Sequence, residues 1–164
     1  MSEAKKLVLE RTYRASVQEL WELWTTKEGF ESWWGPEGFR VEVHEIDPRL
    51  GGALHYDMIA HAPEVIQEMK KQGEPLSHAT RGTFSELEVH QRLALTHVID
   101  FLPGVKPYES TMVMELFPSG NSVRMVVTLS PMHNPEFTQM QVMGFTSQLT
   151  KLDRRFGAAV SAPA

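Results

Sequence analysis

The sequence predicts an α+β domain in which a curved antiparallel sheet wraps around one long C-terminal helix, with two short helices after the first strand. Three observations predict it. Apolar alternation broken by turn-forming residues recurs from Phe39 to Ser130, the pattern of strands joined as hairpins. A helical period runs from Pro135 to Phe156 with only Gly144 against it. Two capping-box spacings lie close together near the N-terminus. Successive hairpins followed by a helix place that helix on one face of an antiparallel sheet.

Leu7 to Arg14 is rich in β-formers and reads as the first strand. Ser16-Val-Gln-Glu19 has capping-box spacing, and Val17, Leu20, Trp21 and Trp24 then mark one face of a short helix. Thr25-Thr-Lys-Glu28 repeats the spacing and starts a second short helix, which brings Phe30, Trp33 and Trp34 together and ends at Gly35-Pro36. Helices this short need tertiary packing to persist. Phe39 to Ile46 and Gly52 to Ala60 read as strands joined through Asp47 to Gly51. Residues 61 to 79 break the pattern. Two prolines and Val65, Ile66 and Met69 at helical spacing predict a loop with one helical turn or more.

Arg81 to Val89 and Arg92 to Asp100 follow as strands around His90-Gln91. A loop over 101 to 107 leads to the strands Tyr108 to Phe117 and Ser122 to Ser130. Asn134-Pro135-Glu136 supplies a cap, a proline at the first helical position and an acid in the first turn. The helix it opens has about 22 residues and so spans roughly 33 Å. Val142, Phe145, Leu149, Leu152 and Phe156 form its apolar stripe, with Met140 and Met143 placed beside it. Ala158 to Ala164 reads as a frayed tail. A sheet of this size curls, so a cavity is expected between it and the helix.

Length and composition bound the function. The 164 residues fit one domain, taken as 1–164 with a core of about 7–156. Sixteen basic against 21 acidic residues give a net charge of −5, which argues against nucleic acid as a partner. There is no cysteine, hence no disulfide, thiolate nucleophile or thiolate metal site. No apolar run approaches the ~20 residues of a membrane span. Met1 to Lys6 is polar and charged, neither leader nor membrane anchor, so a cytoplasmic protein is expected. Nine methionines stand out, eight of them beyond the initiator.

Arg11 and Ala15, then Val17, Trp21 and Trp24, begin a pattern that continues with Trp33-Trp34-Gly35-Pro36 and Gly38-Phe39. Asp47 to Gly51-Gly52, Gly82-Thr-Phe-Ser-Glu-Leu, Arg92-Leu and Gly144-Phe145 to Leu149 and Leu152 complete it. Over roughly residues 7 to 156 this chain resembles the family related to the activator of the Hsp90 ATPase, within the START-like (helix-grip, SRPBCC) superfamily. The resemblance implies the helix-grip fold and a deep pocket between the long helix and the sheet, a type often used for apolar ligands. It also implies a chaperone co-factor role in a stress-response setting, and superfamily members include cyclases and dehydratases. The motifs specify fold far more than activity.

The chemistry-bearing residues are few. None of the seven histidines belongs to a helical HExxH or a comparable ligand pair, so no metal site or cofactor is expected. His55 and Asp57 share a strand face opposite Leu54, Tyr56 and Met58, which reads as outward. No Gly-x-Ser-x-Gly elbow is present, and Gly51-Gly52 enters a strand rather than a phosphate-binding helix. His97 alternates with Leu93, Leu95 and Ile99 and so falls on an inner face, where it must be hydrogen-bonded and is favoured neutral. Tyr56 offers a second polar handle among apolar neighbours. Met58, Met112, Met114, Met140 and Met143 are placed toward the same gap, because an unbranched thioether adapts to varied ligands. Of the adjacent Trp33 and Trp34, one is expected in the core and one on the cavity wall. Trp33 is placed among the ligand contacts.

These residues predict that a small hydrophobic or amphipathic molecule binds in the helix–sheet cavity through Trp33, Tyr56, Met58, His97, Met112, Met114, Met140 and Met143. Two other readings stay open: a protein-interaction module or chaperone co-factor, and a cyclase- or hydrolase-like enzyme with His97 and Tyr56 as acid–base groups. An edge strand and the first helix pair also make a homodimer possible.

Overall fold

A computed structural model describes residues 7–100 and 104–157. Parts of the sequence reading that concern the first six residues, the start of the 101–107 loop and the C-terminal tail lie outside those residues. In chain order the elements are β1 (Leu7–Tyr13), α1 (Val17–Thr25), α2 (Lys27–Glu31), β2 (Phe39–Ile46), β3 (Ala53–Ala60), α3 (Pro63–Lys71), β4 (Ser77–Glu88), β5 (Arg92–Ile99), β6 (Tyr108–Ser119), β7 (Ser122–Leu129) and α4 (Pro135–Phe156). The strands form one seven-stranded sheet in the order β1-β7-β6-β5-β4-β3-β2, with every described pairing antiparallel. Hairpins link β2 through β5 and then β6 to β7, while α1 and α2 carry the chain from one edge strand, β1, to the other, β2.

The local signals act largely as their chemistry dictates. Ser16 Oγ accepts from the Glu19 amide at 3.0 Å while Glu19 Oε1 accepts from the Ser16 amide at 2.9 Å, a complete capping box. The second cap is Thr26, not Thr25: its hydroxyl accepts from Gly29 N at 3.0 Å, and Thr25 instead donates back to Trp21 O. Helix α2 ends at Glu31, so both adjacent tryptophans follow the helix rather than lie within it. Asn134 caps α4 through Phe137 N at 2.8 Å, and Gly157 closes it at φ 60° in the left-handed region.

Residues 61 to 79 hold the helical segment the sequence predicts and correct its reading of where the next strand begins. They hold a nine-residue helix, α3, and the first residues of β4, which starts at Ser77 rather than Arg81. Polar residues alternate at the start of β4, which hides a strand whose partner, β3, supplies the pairing.

The space beneath α4 differs from expectation. Where a cavity is predicted, the rings of Trp24, Phe30, Trp33, Trp34, Tyr56 and Phe145 are all buried. Phe30 stacks on Trp34 at 4.4 Å, and Trp34 meets Phe145 edge-on at 5.9 Å. Side chains of the largest size fill the gap that ordinary ones would leave open.

Helix α4 is fastened over its C-terminal half. Gly35 N donates to Gln148 Oε1 at 2.9 Å and Glu37 N to Ser147 Oγ at 2.9 Å. Thr150 and Arg154 both donate to Glu37 Oε1, and Lys151 donates to Phe39 O. On the far side Tyr13 donates to Asp153 at 2.7 Å, beside Arg11. Of the four fully buried α4 residues, Gln148, Leu149 and Leu152 lie in this half and Phe145 at the helix midpoint.

Candidate functional site

Register puts Leu54, Tyr56 and Met58 of β3 on the same sheet face as Leu93, Leu95, His97 and Ile99 of β5 and Ser110, Met112 and Met114 of β6. Most of this face is buried, and Met58 and Met112 are its partly exposed members. Leu93 and Leu95 are 0% exposed, His97 is 7% and Ile99 8%. On β6, Met114 is fully buried, Met112 half-buried and Ser110 8% exposed; on β3, burial falls from Leu54 to Met58. Helix α4 carries no fully buried residue before Phe145.

On this face stands a buried hydrogen-bonded chain. Trp34 Nε1 donates to the Tyr56 hydroxyl at 3.0 Å, and that hydroxyl lies 3.1 Å from His97 Nε2. Trp34 and His97 rings are near parallel at 6.4 Å. Gly82 faces His97 across the β4–β5 pair, so no side chain crowds the imidazole from that strand. Burial pushes the Tyr56 phenol far up and holds His97 down at about 4, so both are neutral near pH 7. Thr80 is a further hydrogen-bond partner of the Tyr56 hydroxyl, so that oxygen is shared among Trp34, Thr80 and His97.

Three buried polar atoms have no partner among the described residues, Trp24 Nε1 being one. Gln148, 4% exposed, spends its Oε1 on Gly35 and leaves Nε2 buried and unbonded, and Gln141 has Oε1 in the same condition. They stand seven residues apart and so share the helix face that carries Phe145.

The predicted contacts divide accordingly. Tyr56 and His97 are brought together, Met58 and Met112 border them half-buried, and Met114 is sealed in the core. Trp33 is a correction. Its Nε1 donates to Leu23 O at 2.8 Å and its ring packs on Trp24 and Phe145, leaving Trp34 as the tryptophan at the polar chain. Met140 and Met143 are a second correction, at 61% and 63% exposed. At about 100° per residue, Met143 lies roughly 160° around the helix from Phe145, away from the sheet. The same arithmetic turns Gln141 inward. A polar residue on the helix face that carries Phe145 is the sequence signal that would find Gln141 and Gln148; nothing in the sequence separates Trp34 from Trp33.

On the outer face of β3, Asp57 pairs with His44 at 2.9 Å and His55 lies 3.7 Å from Glu45, so these groups pair across strands rather than with each other. Two surface recesses lie elsewhere. One of about 470 Å³ is bordered by Val17, His90, Arg92 and Phe117; another of about 600 Å³ by Glu19, Glu22, Arg155 and Phe156. Neither contains a predicted contact. As chemistry, the Trp34–Tyr56–His97 chain suits recognition better than proton transfer: a base held near 4 and a phenol pushed far up are both mismatched to neutral pH.

A family model described as activator of Hsp90 ATPase homolog 1-like protein matches residues 14–157. Solved structures of similar fold include a Chromobacterium violaceum protein with 20% identity and a TM-score of 0.71, covering 93% of this chain and 97% of that one. A Silicibacter pomeroyi protein described as AHSA1 has 22% identity and a TM-score of 0.71, with 93% and 98% covered. CalU16 from Micromonospora echinospora has 18% identity and a TM-score of 0.61, with 93% and 76% covered. At these identities the likeness is one of fold. No curated protein matches the chain.

Proposed function

The chain belongs to the family of activator of Hsp90 ATPase homolog 1-like proteins, and we propose that it binds a small hydrophobic or amphipathic molecule at the open end of its concave sheet, under the N-terminal half of α4. The observation that supports this reading is the pair of partly buried methionines, Met58 and Met112, on the same sheet face as the buried and hydrogen-bonded Tyr56 and His97. Apolar side chains with incomplete burial stand there beside polar but uncharged groups. That combination is what orients a ligand inside an apolar site. The aromatic rings beneath the C-terminal half of α4 set the depth, so the ligand is small.

Native mass spectrometry of freshly purified protein tests for a retained molecule, and titration with the neutral dye Nile red tests the site directly. One dye per chain is expected. Met112→Trp, which fills the opening, is expected to weaken binding about tenfold or more, whereas Met143→Trp on the outer helix face leaves it unchanged. A Met112→Trp protein that binds as tightly as the parent would overturn the proposal, as would absence of dye binding.

A further inference from the structure

We infer that the chain has a second binding site, at the sheet end that carries the β4–β5 and β6–β7 turns, and that it takes an organic ammonium ion with an aromatic body. It shares no lining residue with the site proposed under α4. A recess of about 470 Å³ is formed there by the start of α1, the end of β4, the start of β5 and the end of β6. Val17, Leu116, Phe117 and Pro118 give it apolar walls, and its volume falls in the range of small-molecule sites. Phe117 is 41% exposed despite its size, with Arg124 lying over its ring at 4.5 Å.

The backbone points to the same place. Gln91 N donates to Glu88 O at 2.9 Å, closing a turn in which His90 holds a φ of +66°. Glycine suits such a position, and the β6–β7 turn at the same end of the sheet uses Gly120 at φ 61°. Every other described residue at positive φ is a glycine. A side chain kept where the backbone is strained is a mark of a functional contact. The His90 ring stands edge-on to Trp21, centroids 6.0 Å apart, and lines the recess.

Charge selects the ligand. Arg92 is the only Arg or Lys among the described residues lining the recess, and it donates to Glu86 and to Glu115 at 3.0 Å each. Glu88 lines the recess too, and its side chain bonds no described residue. Three carboxylates around one guanidinium leave the surroundings net negative, which disfavours an anion. An ammonium group gains a partner in Glu88 and a cation–π contact with an aromatic wall. The exposed carboxylate attracts only weakly by itself, so the apolar body supplies most of the affinity and the charge supplies the preference.

Backbone amide NMR titrations at neutral pH with 2-naphthylmethylamine, 2-naphthalenemethanol and 2-naphthoate, which share one ring system and differ in charge, test the inference. The amine is expected to shift the amides of Glu88 to Arg92 and Glu115 to Phe117. It is expected to bind about threefold or more tightly than the alcohol, with the naphthoate weakest. Glu88→Gln is expected to abolish the preference for the amine, and Phe117→Ala to weaken amine and alcohol alike; both side chains are exposed, so the fold is kept. His90→Gly is expected to weaken the amine without lowering the urea midpoint, because relieved strain offsets the lost ring contact. A lowered midpoint with unchanged binding would mean that His90 serves the fold alone and would overturn the site. Naphthoate binding as tightly as the amine, the absence of a saturable shift, or shifts confined to Tyr56, His97 and Met112 would overturn it as well. None of these outcomes bears on the site under α4, which the Nile red titration decides.

Discussion

His97 shows what a single residue reveals about the state of this core. Its imidazole is buried on the inner face of β5, and burial lowers its pKa from the ordinary 6.5 to about 4. Between these values the unfolded chain binds a proton that the folded chain refuses, so stability rises with pH across that window. The contribution is complete above pH 6.5 and is lost as pH falls toward 4, amounting to about 2–4 kcal/mol. Urea midpoints measured from pH 7 down to pH 4 are expected to fall more steeply for the parent than for His97→Gln, which has no proton to take up. Parallel curves would mean that the imidazole is protonated in the fold. The inward position of His97 and Tyr56 was legible from strand alternation alone, because a period of two leaves only two faces to choose from. Their mutual bond was not, since two strands apart in sequence say nothing about which rows meet. The exposed Met140 and Met143 show the converse error: composition suggested a shared gap, and helix geometry sends them outward.

At the scale of elements, the segment from Trp33 to Phe39 is a clasp on α4. Successive residues after α2 engage Gln148, Ser147, Thr150, Lys151 and Arg154, so one short connection holds a helix more than a hundred residues later. Arg154 beside Glu37 also keeps that carboxyl below its usual range, although the pair is exposed and adds little alone. The clasp needs Gly35, whose φ of +94° is unfavourable for any other residue and whose missing side chain leaves room for Met58. A Cβ there would lie 3.0 Å from Met58 Sδ. Gly35→Ala is therefore expected to lower stability by about 1–3 kcal/mol, read as a drop in the urea midpoint; an unchanged midpoint would show that the turn is not strained. Element order and the bounds of α4 were readable because caps and periodicity are local. The polar start of β4 and the length of α3 were not, since tertiary pairing rather than propensity fixes them.

At the scale of the whole molecule, the long helix is fixed at one end and lightly held at the other. From Phe145 onward it carries the buried residues, the clasp and the Tyr13–Asp153 contact; before Phe145 it carries the exposed methionines and no fully buried residue. The sequence marks one continuous helix, because nothing in its period distinguishes a half packed on aromatic rings from a half that is not. Local opening follows the density of buried contacts. Amides from Phe137 to Gly144 are therefore expected to exchange with deuterium faster than those from Thr146 to Arg155, by about tenfold or more at neutral pH. Binding of Nile red is expected to slow exchange in the N-terminal half and to leave the C-terminal half unchanged, since a ligand protects the region whose opening it opposes. Uniform protection along α4 in the free protein would contradict this division. Protection gained only in the C-terminal half would place the ligand somewhere other than under Phe137 to Gly144.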